Sequence, residues 1–238
     1  MTLPILETAS FDLTLPSTDM KINFRPFIVK EEKILLQALE SGESSQIIRA
    51  LKDIVSACTF NQLDVDKLPT FDLEYIFLKI RSKSVGETAK IKVRCPDDNE
   101  TFATADVDLS KVEVHVDDEH NNRIVIDEKK NIGVVMKYPT IDTIDPKMDP
   151  NTLKTEQLFN VITNSLHQIF EGEKSMAASD YSKEELNKFL EQLDTNAFNR
   201  IQQFFSSMPR LKHDVKVTNP KTKVESTVTL TGLNDFFG

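Results

Sequence analysis

Glycine is scarce in this chain of 238 residues, with six in all, and so are histidine, with four, and cysteine, with two. So few glycines leave little material for tight backbone sites. No glycine loop that could cradle a phosphate is present, and no nucleophile elbow. His115, His120, His167 and His213 stand singly, without the paired spacing of a metalloprotease helix. Cys58 falls on a predicted amphipathic helix and Cys95 on the inner face of a predicted strand, which does not support a secreted disulfide framework. A zinc knuckle at Cys95-Pro96-Asp97-Asp98-Asn99 would lack its second cysteine, so neither zinc nor any other metal or cofactor is expected.

Long apolar runs and excess positive charge are also missing. No run approaches the roughly 18 residues of a membrane span, and MTLPILETASFD lacks the basic start and apolar core of a signal peptide. Residence in a cytoplasm is the default expectation. The formal charge of -9 argues against a nucleic-acid groove, which needs clustered lysine and arginine. Lys90, Lys92 and Arg94 are read as a solvated strand face. A hydrophobic content of 39% with 28% charged residues describes a soluble globular protein, long enough for one large domain or two small ones.

What is present is most distinctive between Leu68 and Leu109. A helix is expected to enter at Pro69-Thr70, with Thr70 as N-cap and Asp72 in the first turn. Phe71, Leu73, Tyr75, Ile76, Phe77, Leu78 and Ile80 then lie on nearly every side, which predicts a helix packed on more than one face. Lys79, Arg81 and Lys83 suit its C-terminal turns, and Gly86 ends it. From Glu87 the period becomes two. Ala89, Ile91, Val93 and Cys95 face one way, and after the turn Pro96-Asp97-Asp98-Asn99 so do Ala103, Ala105, Val107 and Leu109. Keeping both apolar sets on one face predicts Lys90 opposite Asp106 and Val93 opposite Ala103.

Elsewhere, Phe11–Leu15 and Lys21–Val29 read as short strands, the second interrupted by Pro26 and so a candidate edge open to partners. Lys30–Ser41 is a predicted helix through Ile34, Leu35, Ala38 and Leu39, stopped by Gly42. Residues 45–59 form the cleanest amphipathic pattern. After the hairpin, Val112–Val116, Arg123–Asp127 and Ile132–Tyr138 are expected to complete an antiparallel meander. Residues 153–170 read as a helix, 171–180 as a polar loop, Ser182-Lys-Glu-Glu185 as a capping box, and Thr195 as the cap of a helix ended by Pro209. A hairpin follows, with Leu211, His213, Val215 and Val217 against Val224, Ser226, Val228 and Leu230. The fold class is thus α+β, with amphipathic and buried helices on an antiparallel meander and a C-terminal helical pair and hairpin. The expected division is 1–60, 61–139, a proline-bearing linker 140–150, and 151–238.

Three functions stay open on the residues alone. The cluster Asp117, Asp118, Glu119 and His120 would be the place for a hydrolytic site. It lacks calcium-loop spacing, and adjacent residues cannot all aim at one ion from an ordinary turn, so no metal and no catalytic residue is assigned. A cytoplasmic binding module is a second reading. A third comes from FDLEYIFLKIRSKSVGE, the hairpin after it and the terminal GLNDFF, which together resemble the baseplate hub protein family of T4-like contractile-tailed phages, including those of cyanobacteria.

That resemblance extends from the first helix onward and implies a non-enzymatic structural or assembly protein that docks onto other tail or baseplate proteins. It would act in the host cytoplasm during assembly or in the virion tail baseplate. It carries over no active site. Leu233, Phe236 and Phe237 occupy a stretch too short to bury its own apolar surface. They either fold back as a last helical turn or anchor a partner, and they are the candidate partner-binding residues.

Overall fold

The computed structural model describes residues 7–143 and 155–236. Among these the chain runs β1 (Phe11–Thr14), β2 (Lys21–Phe24), α1 (Val29–Ser41), α2 (Ser44–Cys58), α3 (Thr70–Ser84), β3 (Thr88–Arg94), β4 (Phe102–Asp108), β5 (Glu113–His115), β6 (Arg123–Asp127) and β7 (Ile132–Met136). It continues with α4 (Thr155–Ser165), β8 (Leu166–Glu171), β9 (Lys174–Ala177), α5 (Lys183–Leu190), α6 (Thr195–Ser207), β10 (Arg210–Thr218) and β11 (Glu225–Thr231). The fold is α+β, and every strand pair is antiparallel.

Two compact units divide the chain, one made of residues 1–115 with 210–238, the other of 116–209. This cuts across the expected division. β10 and β11 join the first unit rather than the helices before them, and residues 140–143 of the expected linker belong to the second unit, with 144–150 outside the described residues.

In the first unit α3 is the centre. Phe71, Leu73, Tyr75, Ile76, Phe77, Leu78 and Ile80 are all buried, so the helix is enclosed on several sides as its composition requires. Its N-cap is Pro69, not Thr70. The Pro69 carbonyl accepts the amides of Asp72 and Leu73 at 3.1 Å each, and Thr70 is already helical. Asp72 is buried as well, and its carboxylate accepts the Ser17 amide at 3.2 Å and the Ser17 hydroxyl, tying the β1–β2 turn to the helix start.

The β3–β4 hairpin has the expected register, with Lys90 opposite Asp106 and Val93 opposite Ala103. At its turn, the Asp98 carboxylate accepts the amides of Glu100 and Thr101 and the Thr101 hydroxyl, which holds it well below the usual carboxylate range. The expected single meander is instead spread over three sheets. Among the described residues β3 and β4 pair only with each other, β5 pairs with β10 through Leu211 and Val114, and β6 and β7 belong to a sheet of the second unit. Alternation sets which face a strand buries but not which neighbour it takes. Asn219, buried at the β10–β11 turn, donates to both oxygens of Asp97 at 3.0 Å and so joins the two hairpin turns. Cys58 and Cys95 are buried free thiols.

The second unit is a four-stranded sheet in the order β6-β7-β8-β9, packed against α4, α5 and α6. Ile162, Leu186, Leu190, Ile201 and Phe204 from the helices meet Ile124, Val134, Met136, Leu166 and Ile169 from the strands in one core. The expected helix over 153–170 ends at Ser165, and Leu166–Glu171 forms a central strand. Residues 174–177 of the expected polar loop form β9, reached through Gly172 at φ +61°. Leu166, Ile169 and Phe170 have a spacing that suits a helix as well as a strand, and pairing of β8 with β7 on one edge and β9 on the other decides for strand. A Cβ on Gly133 would meet the Phe170 ring at 2.2 Å and the Ile124 carbonyl at 2.3 Å, so only glycine fits that strand position. Arg200 covers the β6 edge by donating to the Val125 and Ile126 carbonyls at 3.1 and 3.0 Å. Ser182 and Glu185 form the expected capping box, whereas α6 is capped by Asp194, which accepts the Ala197 amide at 2.7 Å, rather than by Thr195.

Candidate interaction surfaces

Leu233 and Phe236 lie inside the first unit, 5% and 1% exposed, on a short 3-10 turn that packs beside α3 and β3. Of the two readings of this segment, the folded-back one describes these two side chains, and as anchors for a partner they would first have to leave the core. Phe237 lies outside the described residues. The turn is held by polar groups as well. The Leu233 amide donates to Glu74 Oε1 at 3.2 Å, and the Thr231 amide to Asp235 Oδ2 at 2.7 Å. Burial under this turn, with Asp235 adding negative charge nearby, pushes the Glu74 carboxyl up to about 7. α3 is apolar on nearly every side, and this segment covers the part of it that carries Glu74.

In the acidic loop the one imidazole is engaged by groups outside the loop. His120 lies in an aromatic cluster, with its ring 5.6 Å from that of Tyr138 and 5.1 Å from that of Phe204. Its Nδ1 is 3.0 Å from Ser207 Oγ and its Nε2 is 3.1 Å from the Tyr138 hydroxyl. Ser207 donates its own proton to the Gln203 carbonyl at 2.8 Å, so the consistent arrangement has Nδ1–H donating to Ser207 and Nε2 accepting from Tyr138. A serine whose proton is held by a helix carbonyl is not being activated by the imidazole. Burial lowers the His120 pKa and favours the neutral ring this network needs. Asp117 caps its own turn by accepting the Glu119 amide. Among the described residues no group of three or more His, Cys, Asp or Glu side chains is placed to hold a metal ion.

Three clefts of the second unit are open to solvent, one of them lined by Lys137, His167 and Lys183 and another by Glu119, Arg123 and Arg200. A third, apolar cleft of about 360 Å³ lies between the sheet and α5 and is lined by Ile169, Met176, Tyr181 and Phe189. Its rim acid Glu185 is already engaged at the Ser182 cap.

The remaining feature is one that periodicity alone obscures. Among the described residues eleven large apolar side chains are exposed, and four of them, Ile28, Val29, Leu36 and Leu39, belong to α1 and its N-cap. The Phe27 amide donates to Ser84 Oγ at 2.9 Å, which ties the entry of α1 to the last turn of α3. α1 does bury one side, through Leu35, Ala38 and Glu31. Glu31 accepts the Ile28 amide at 2.9 Å and pairs with Arg25 at 3.0 Å. Leu39, expected inward, is 43% exposed, and Leu36 on the same side is 52% exposed. The signal was in the sequence. Ile34, Leu35, Leu36, Ala38 and Leu39 span too much of the helix circumference for one buried stripe.

The profile of a family described as T4 bacteriophage base plate protein matches residues 8–238. No curated protein and no solved structure matches the chain.

Proposed function

The chain belongs to the T4 bacteriophage base plate protein family, and from that membership we propose that it is a non-enzymatic structural or assembly protein of the baseplate hub, acting by docking onto other tail proteins. Membership in this family points to the phage tail as its place and to other tail proteins as its partners. The matched span takes in both compact units, so the role is a property of the whole chain rather than of one appended module.

The observation that carries the docking reading is the row of exposed apolar side chains on the outer side of α1. Exposed apolar groups gathered on one element, rather than scattered, mark surfaces that meet other proteins. An inward, satisfied His120–Ser207 pair supports a non-catalytic role. The partners are proteins rather than nucleic acid on this reading, given a formal charge of -9. Assembly would take place in the host cytoplasm.

Complementation tests this directly. In a phage lacking the chain, the wild type and Ser207→Ala should restore plaques equally, while replacing Leu36 and Leu39 together by glutamate should leave tails arrested at the baseplate. Full rescue by the leucine variant would remove docking through this face, and loss of rescue by Ser207→Ala would reinstate a hydrolase. Labelling the chain and finding it at the baseplate periphery would overturn the hub assignment.

A further inference from the structure

The open edges of the strands are defended unequally. β6 is bulged and covered by Arg200, β3 carries Lys90, Lys92 and Arg94 on its outer face, and β9 is four residues long with Lys174 at its start. β11 has none of these devices. Over seven residues it keeps an unbroken register with β10, without proline, glycine or bulge, and its single charge is Glu225 at the end. Thr227, Val228, Thr229 and Thr231 are β-branched, so the strand is stiff, neutral over most of its length and suited to pairing. Among the described residues it pairs with β10 alone.

The outward backbone groups of β11 can be assigned. The Asn219 amide donates to the Val224 carbonyl at 2.9 Å and the Gly232 amide to the Leu211 carbonyl at 3.2 Å, which fixes both ends of the ladder. Hydrogen-bonded and non-hydrogen-bonded pairs alternate between antiparallel strands, so the even-numbered residues of β11 aim their N–H and C=O at β10 and the odd-numbered ones aim away. Thr231 agrees, because its amide donates to Asp235 outside the ladder at 2.7 Å. The amides and carbonyls of Glu225, Thr227 and Thr229 are left without a hydrogen-bond partner among the described residues. These three positions are symmetric about Thr227. Laid antiparallel on a second β11, with Thr227 on Thr227 and Glu225 on Thr229, all of these groups are paired.

The side chains suit the same arrangement. On the inner face Val215 and Val217 of β10 are buried, but Ser226 and Val228 of β11 are only half-buried, and the pairing sets Val228 of each copy opposite Ser226 of the other. On the outer face Glu225 meets a threonine. Each end of the paired strands gathers Lys221, Lys223 and Glu225 of one copy with Asp235 of the other, two bases and two acids. One strand further in, Lys212 and Asp214 of that second copy add one charge of each sign, and Asp214 already accepts the Thr229 hydroxyl. Asp97, near the same turn, is engaged by Asn219 and Thr222.

We propose that β11 pairs antiparallel with β11 of a second copy of this chain about a two-fold axis at Thr227, joining two three-stranded sheets into one of six. This surface is separate from α1 and does not depend on the docking proposed there. Five residues against five bury less than the roughly 1,200 Å² of a standard interface, so the dimer is weak, with a Kd on the order of 10 to 100 μM.

Sedimentation equilibrium of the full chain over a concentration series reads the association. Wild type should pass from monomer to dimer. Thr227→Pro should stay monomeric, and proline is tolerated there because the Thr227 amide makes no bond among the described residues. Thr227→Lys, which sets two ammonium groups against each other, should weaken association at least about 10-fold. Circular dichroism melts establish that each variant is folded. The variant with both Leu36→Glu and Leu39→Glu should associate like wild type, which separates this edge from α1. Cross-linking by a short bismaleimide reads the axis itself. Thr227→Cys should join to its own counterpart, whereas Thr231→Cys, about 27 Å from its counterpart in this register, should not. Neither a heterologous strand nor nonspecific aggregation would set residue 227 against itself. A wild type that stays monomeric throughout, association untouched by Thr227→Pro and Thr227→Lys, loss of association in the leucine variant, or equal cross-linking at 227 and 231 overturns the proposal. Failure here leaves the complementation result untouched, so the two readings fall separately.

Discussion

α1 and α3 are both rich in large apolar residues, yet they use them differently. In α3 Ile76, Phe77, Leu78 and Ile80 are fully buried and the polar residues present are tied down, Asp72 to Ser17 and Glu74 to the Leu233 amide. In α1 two leucines face outward, while the best-buried member of the helix is a carboxylate, Glu31, 3% exposed. Hydrophobicity therefore does not sort these residues into inside and outside. α3 is committed to the fold, whereas α1 leaves an apolar face exposed, and on the proposed docking reading that face is what a partner meets.

The largest effect that would break this comparison lies in α3. Leu78→Ala should cost about 2 to 5 kcal/mol in urea melts, as a cavity in a site with no exposure. A loss under about 1 kcal/mol would mean the helix is not the committed one.

Next is Glu74. Its carboxyl is raised from the ordinary value to about 7, so in the folded state it holds a proton that the unfolded chain has released. A raised folded pKa contributes stability that is complete below the unfolded value of 4.5 and lost as pH climbs through about 7. Stability should fall between pH 5 and 8 by on the order of 2 kcal/mol through this group. His120, whose pKa is lowered, works in the opposite sense, losing stability as pH falls below its unfolded value. The difference between wild type and Glu74→Gln isolates the carboxyl. Parallel pH profiles for the two proteins would contradict the assignment.

Within α1 the inversion can be sharpened by two changes to one helix. Glu31→Gln should cost about 1 to 3 kcal/mol, because Arg25 loses its ion pair and the helix start loses a charged acceptor. Leu36→Ser should change stability by no more than about 0.5 kcal/mol. If the serine change proved the costlier, α1 would be packed on both sides, and no docking face would be left.

Short-range physics in the sequence by itself determined a good deal of this protein. The α+β class, the extent of α3, the Lys90–Asp106 register and the Ser182–Glu185 box all follow from periods, caps and turns within about twenty residues. Of the candidate site, the wide apolar circumference of α1 signalled that some of its large side chains stay outside, but which ones do, and that Leu233 and Phe236 are buried, was not legible, since a composition that favours burial does not say how many neighbours arrive to provide it. Only the tertiary structure decided that β5 pairs with β10, that residues 166–171 form a strand between β7 and β9, and that a turn near residue 233 covers α3. In each case the partner lies far along the chain or the local run suits two conformations equally. The free energy of a distant edge or cover then settles what local preference leaves balanced.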